Sequence, residues 1–274
     1  MSIQSVINHL DAALAHVSKR SLHKSDNDDI WDLRFQWPLR KSELCSQLLS
    51  QTYVFSPFRV VEYQPGKHLH TFRSRDKLVL KALALTLFES LPRSPLCFSY
   101  LGHGGVPGAL NCVARHSSAR FGFKTDVANY YASISHRHLM ERLSRYINDE
   151  LLYLVYQALS VQSAGLPRGS ALSHVLGNFY LHALDLRFEH RPTQHYCRYM
   201  DDILVLTDTR GALRRASATI KHQLAQLGLT AAPQKSWIGR ANTLARLPTF
   251  LGRPMGATLL KPRAVASNGE SGSR

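Results

Sequence analysis

Tyr196-Cys197-Arg198-Tyr199-Met200-Asp201-Asp202-Ile203-Leu204-Val205-Leu206-Thr207 is the stretch on which the fold turns. Two β-compatible runs, Tyr196–Met200 and Ile203–Thr207, flank the acidic pair Asp201-Asp202, and that pattern predicts a hairpin. Upstream, Phe121-Gly122-Phe123-Lys124-Thr125-Asp126-Val127 reads as a short strand that delivers Asp126 at its end. If the two are neighbours in one sheet, three carboxylates meet. Like charges held close repel one another, so the arrangement calls for a cation between them. Oxygen ligands of this kind suit Mg²⁺, and two such ions serve an in-line phosphoryl displacement. On the dipeptide alone, Asp-Asp is equally explained as a turn, because Asp is a favoured turn residue.

Outward from the hairpin, the texture is mixed. Arg73–Leu91 predicts a strong helix, with Asp76 near its start and Pro92 just beyond its end. Gly102–Gly108 (GHGGVPG) lacks the pattern of a phosphate-binding P-loop and reads as a turn. A helix is expected around His136 to Tyr146. The loop Gly165–Ser170 opens a second long helix with the apolar stripe Leu172, Val175, Leu176, Phe179 and Leu184. A third carries Leu213, Ile220, Leu224 and Leu227 and ends at Gly228. The order predicts an α+β fold, an antiparallel sheet with helices packed on one face. Ile3, Val6, Ile7, Leu10, Leu14 and Val17 recur at helical spacing, and His9 and Asp11 interrupt any signal-peptide core. An amphipathic helix that stays on the protein is expected there, then a polar connection over 22–30. A frayed tail is expected from Ser267.

Charge narrows the function classes. Thirty-four Lys and Arg stand against nineteen Asp and Glu, a net charge of +15, which points to a polyanionic partner, nucleic acid first. No run of eighteen apolar residues occurs, so no membrane span or membrane partner is expected. Cys45, Cys97, Cys112 and Cys197 form no CxxC pair. Neither a zinc site nor a disulfide framework is indicated, and a cytoplasmic location fits.

Tyr199-Met200-Asp201-Asp202 resembles the signature shared by reverse transcriptases, and the segment from Asp126 (DVANYYASI) resembles their first palm motif. Gly165–His174 resembles the family's central glycine loop, Ala232–Ser236 the motif after the hairpin, and Phe250-Leu251-Gly252 the primer-gripping one. Five motifs stand in the family's order over roughly residues 120–255. The resemblance, closest in texture to defence-associated bacterial enzymes of the intron and retron type, implies a right-hand polymerase: 1–30 an N-terminal helix and connection, 31–119 fingers, 120–256 palm, 257–274 a short tail. It implies RNA-directed DNA synthesis with two Mg²⁺ ions, dNTPs, an RNA template and a DNA product. Asp126 and Asp201 would be direct metal ligands and Asp202 a weaker participant. Tyr131 would exclude the 2′-hydroxyl, and Gly169 with Arg168 would border the nucleotide. Lys235 would neutralise or protonate pyrophosphate. Tyr199, Met200, Leu251 and Gly252 would touch the primer. Lys67, Arg73 and Arg75, in a stretch that resembles the RDR type, would hold the triphosphate.

Arg168 and His174 depart from the usual Gln and Pro of the central loop. Only 22 residues follow Gly252, so the thumb is expected to be absent or minimal. The grip on template and primer is then expected from a structured non-coding RNA, a second copy or a partner protein. A polymerase that works without a template or from a protein primer, and an inactive RNA-binding scaffold, remain open alternatives. A metal-dependent nuclease explains the carboxylates but not Tyr131 or the glycine loop.

Overall fold

The computed structural model describes residues 2–191, 193–241, 249–251 and 253–254. In chain order the elements are α1 (Ile3–Asn8), α2 (Leu10–Arg20), α3 (Asp29–Phe35), α4 (Trp37–Leu49), β1 (Arg59–Gln64), β2 (Lys67–Thr71), α5 (Ser74–Ser90), α6 (Gly105–Arg115) and β3 (Phe121–Thr125). There follow α7 (Tyr130–Ser133), α8 (His136–Leu143), α9 (Asp149–Leu159), α10 (Ala171–Asp185), β4 (Gln194–Tyr199), β5 (Asp202–Thr207) and α11 (Arg210–Gln226). A 3₁₀ turn, Pro233–Lys235, then precedes β6 (Trp237–Arg240), β7 (Thr249–Phe250) and β8 (Arg253–Pro254). The chain divides into two compact units.

The first unit comprises Met1–Ser94, Val127–Leu186 and Ile220–Ala231. Its axis is α5, where Leu78, Val79, Leu80, Ala82, Leu83, Ala84 and Leu87 are all buried. An all-round apolar helix needs neighbours on several sides, and α1, α2, α3 and α10 pack against it. Asp76 is buried in its first turn, where it accepts hydrogen bonds from the Tyr53 hydroxyl and the Ser56 amide. The expected N-terminal helix is two helices. His9 breaks it: the His9 amide bonds to Val6 O, one residue short of helical spacing, and its imidazole bonds to Ser5 O and the Glu89 carboxylate. Ser170 caps α10 by accepting from the Leu172 amide.

The second unit comprises Pro95–Asp126, Arg187–Thr219 and the described part of the chain from Ala232 onward. It is built on an antiparallel sheet with strand order β4-β5-β3-β6. Central β5 is buried from Ile203 to Thr207. Cys197, Leu204, Leu206 and Phe250 form one core with Ala109, Cys112 and Val113 of α6. Gly122 leaves room for the Trp237 ring, since a Cβ there would lie 3.0 Å from it. The predicted hairpin is present, but its turn lies one residue earlier than expected. Tyr199 pairs with Asp202, so Met200 and Asp201 are the two turn residues and Asp202 begins β5. The glycine-rich GHGGVPG stretch is a turn only as far as Gly104, and α6 starts at Gly105.

Candidate active site

Sheet register brings the carboxylates of the second unit together. Thr125 pairs with Ile203, so Asp126, one residue further on, comes level with Asp202 and the turn beyond it. The Asp201 carboxyl is held up to about 6, first by burial and then by the charge and hydrogen bond of Asp126. Burial also raises Asp202, against the pull of Lys124.

Two lysines answer this negative charge. Lys124, almost wholly buried in β3, puts Nζ 3.1 Å from Asp202 Oδ1. Oδ1 is buried, with this ammonium as its partner. Lys235 Nζ donates to Asp126 Oδ2, and this bond raises the lysine above its usual range. Asp202 Oδ2 accepts from the Leu251 amide at 3.1 Å, so the third of the quoted downstream motifs reaches the site through its backbone. Gly252 lies outside the described residues.

The donors would fit a hard divalent cation: carboxylate oxygens held close together, with Asp201 raised first by burial and then by its neighbour's charge. Among the described residues no three acidic, His or Cys side chains enclose an ion by themselves. A divalent cation held by these carboxylates would need further oxygen ligands from outside the chain.

The other candidate residues are in the first unit. Tyr131 follows Asp126 by five residues and stacks on Tyr130, ring centroids 5.7 Å apart. Its ring edge lies against Gly177 of α10, where an added Cβ would stand 2.9 Å away. The Tyr130 hydroxyl donates to Gly177 O, and Leu166 N to Tyr131 O. Thus α10 and the central loop both define where Tyr131 sits. That loop is fastened to β2 twice: His70 N donates to Arg168 O at 2.9 Å, and Arg168 N donates to His70 Nδ1 at 3.0 Å. Gly169 has φ +98°, and a Cβ there would meet Leu69 at 2.9 Å, so both conformation and space require glycine.

Lys67 opens β2. Arg73 precedes α5 as its N-cap residue. Arg75 donates to Gln47 Oε1 at 2.6 Å and lies over the Tyr53 ring. Both arginines line one cavity with the acidic Asp29, Asp32 and Glu43, an environment that offsets their charge. Sequence reasoning passed over Lys124, His70, Ser99 and Arg198. Of these, Lys124 and Arg198 carried a signal, each a charged residue in an otherwise largely apolar strand.

Residues 55–254 match the family described as "Reverse transcriptase (RNA-dependent DNA polymerase)". The chain is 32% identical over 165 residues to the "Uncharacterized 91 kDa protein in cob intron" of Schizosaccharomyces pombe, a match covering 52% of this chain and 20% of that protein. It is 23% identical over 170 residues to the retron Ec73 reverse transcriptase of Escherichia coli, covering 57% of this chain and 54% of the relative. The chain thus spans about a fifth and about half of the length of these curated relatives. Among solved structures, telomerase from Candida albicans, with a fragment of telomeric RNA, is similar at TM-score 0.46 and 12% identity over 65% of this chain and 35% of the other. Apo telomerase from Candida tropicalis gives 0.47 and 13% over 65% and 43%. A family match running from 55 to 254 takes in every carboxylate of the site, and the chain belongs to the reverse transcriptase family.

Proposed function

We propose that this protein is an RNA-directed DNA polymerase whose chemistry centres on Asp126, Asp201 and Asp202. The observation that carries the reading is the gathering of these carboxylates at one end of the sheet, with Asp201 raised by Asp126. Two Mg²⁺ ions, when bound, activate the primer hydroxyl and stabilise the leaving oxygen. Asp126 and Asp201 hold the ions, and Asp202, anchored by Leu251 N and Lys124, braces the site from β5. Lys235 leaves Asp126 for the pyrophosphate as charge develops there. Tyr131 closes the sugar pocket to a 2′-hydroxyl. The Arg168–Gly169 loop lets backbone approach the nucleotide, and Met200 and Tyr199 meet the primer end. In this reading residues 31–119 act as fingers and 120–256 as palm. Lys67, Arg73 and Arg75 are the fingers' candidate phosphate ligands, Arg75 only after releasing Gln47.

The partner is a structured RNA that supplies template and grip, assisted by a second copy or another protein, and the setting is anti-phage defence. The charge of +15 and the texture of the central loop support these two points. The test is incorporation of labelled dNTP on a primed RNA by the wild type and by Asp201→Asn. Incorporation that persists in the variant overturns the active-site reading. Sequencing the product separates templated synthesis from the template-independent alternative, which Arg168 beside the nucleotide favours. RNA binding with no incorporation by either protein would instead establish a scaffold.

A further inference from the structure

The turn that carries Asp201 has an unusual conformation. Met200 adopts φ +54°, a left-handed backbone that side-chain-bearing residues rarely take and that glycine or asparagine would adopt more readily. A two-residue hairpin turn asks for a positive φ at its first position, and because methionine takes it less readily than glycine, contacts from outside the turn help to hold it there. Both peptide groups of Met200 are taken by side chains. Its N–H donates to Ser99 Oγ at 3.2 Å, and its carbonyl accepts from Arg198 Nη1 at 2.8 Å.

Neither partner is free to wander. Arg198 is wholly buried. Its own backbone is tied to the segment before α6, with Arg198 N donating to Leu96 O at 3.0 Å and Phe98 N donating to Arg198 O at 2.8 Å. Cys97 and Arg198 form a parallel bridge. Ser99 Oγ is also 3.2 Å from Cys97 Sγ. Residues 96–98 therefore meet the end of β4 through a single isolated bridge, and the Ser99 hydroxyl just beyond it reaches the turn. This strip is far from Asp201 in sequence and belongs to none of the motifs that carry the family resemblance.

We propose that Ser99 and Arg198 are positioning residues that lock the left-handed Met200 and so set where Asp201 stands beside Asp126. The inference rests on the reading of Asp201 as a metal ligand. Without the Ser99 hydroxyl the Met200 peptide is held from one side only, and Asp201 gains freedom to shift while the sheet beneath stays paired. Asp201 then meets a cation less often, and the loss falls on metal affinity and turnover rather than on nucleotide affinity.

The experiment is a Mn²⁺ titration followed by electron paramagnetic resonance on wild type, Ser99→Ala, Ser99→Thr, Arg198→Lys and Asp201→Asn. It is accompanied by melting temperatures and by kcat and KM for dNTP. Ser99→Ala is expected to weaken Mn²⁺ roughly fivefold, the worth of about one hydrogen bond, and to lower kcat with KM unchanged. Ser99→Thr, which keeps the hydroxyl, is expected to restore both. Arg198→Lys, which keeps one donor, is expected to fall between. If Ser99→Ala lowers the melting temperature but leaves Mn²⁺ affinity at the wild-type value, the role is structural and the proposal is overturned. If wild type and Asp201→Asn bind Mn²⁺ alike, the active-site reading itself fails and this inference fails with it. The two failures are therefore told apart.

Discussion

Asp201 carries a charge that the metal-free fold resists. Its folded value, about 6, lies above the ordinary aspartate value of 3.8. A carboxyl raised by folding is held protonated by the native state. The stability it contributes is therefore present at acid pH and lost as pH rises from about 4 through about 6. Asp202, raised in the same direction, adds to the trend. In chelator, Asp201→Asn is expected to melt higher than wild type at neutral pH, by a few kcal/mol at most since each pKa unit is worth about 1.4 kcal/mol. The gap should close near pH 4, and Mg²⁺ should stabilise wild type more than the variant. Thermal melts over a pH series with and without Mg²⁺ check this, and a variant that melts lower at pH 7.5 or so would contradict the burial argument. The second residue-scale expectation concerns Tyr131. Tyr131→Ala is expected to raise ribonucleotide incorporation relative to deoxynucleotide by about tenfold to a hundredfold, read from competition assays with paired dNTP and rNTP.

At the scale of elements, the contact between α10 and Tyr131 is close enough to be tested by one methyl group. Gly177→Ala places a carbon 2.9 Å from the Tyr131 ring, and overpacking of this kind costs roughly 1–3 kcal/mol. The ring is expected to shift, lowering the melting temperature and loosening sugar selection together. The clamp between β2 and the central loop has a pH signature. His70 Nδ1 accepts from Arg168 N, so the bond needs a neutral ring, and burial first of all lowers its pKa below 6.5. That stability is present above about pH 6.5 and is lost as pH falls through the folded value. His70→Ala is expected to raise KM for dNTP at neutral pH and to flatten the acid limb of KM. Much of this architecture was legible in the sequence. Two β-compatible runs around Asp201-Asp202 predicted the hairpin, and the stripe from Leu172 to Leu184 predicted α10. The turn was misplaced by one residue because Asp-Asp is the stronger local turn signal, and no local propensity reports the bond from Met200 N to Ser99, 101 positions away. The β1–β2 hairpin went unread because β1 is exposed along its whole length and so shows no buried alternation, although Pro65-Gly66 marks its turn. His9 split the first helix through a bond to Glu89, again a distant partner. Sequence periodicity reports burial; it is silent on side chains that hold backbone.

For the whole molecule, a net charge of +15 makes association with nucleic acid largely a matter of displaced counterions. Affinity for a duplex RNA, measured by fluorescence anisotropy, is expected to fall roughly tenfold to a thousandfold between about 50 and about 200 mM salt. A flat salt profile would remove the basic surface from the argument. The acidic centre does not oppose this attraction. Asp126 is bonded to the ammonium of Lys235, and Asp202 is in contact with that of Lys124. Two of the three carboxylates thus carry an ammonium counterion, and on the proposed reading a phosphate chain approaching the site would meet mainly the charge of Asp201. On that reading, capture of a strand would not require a metal to have arrived first.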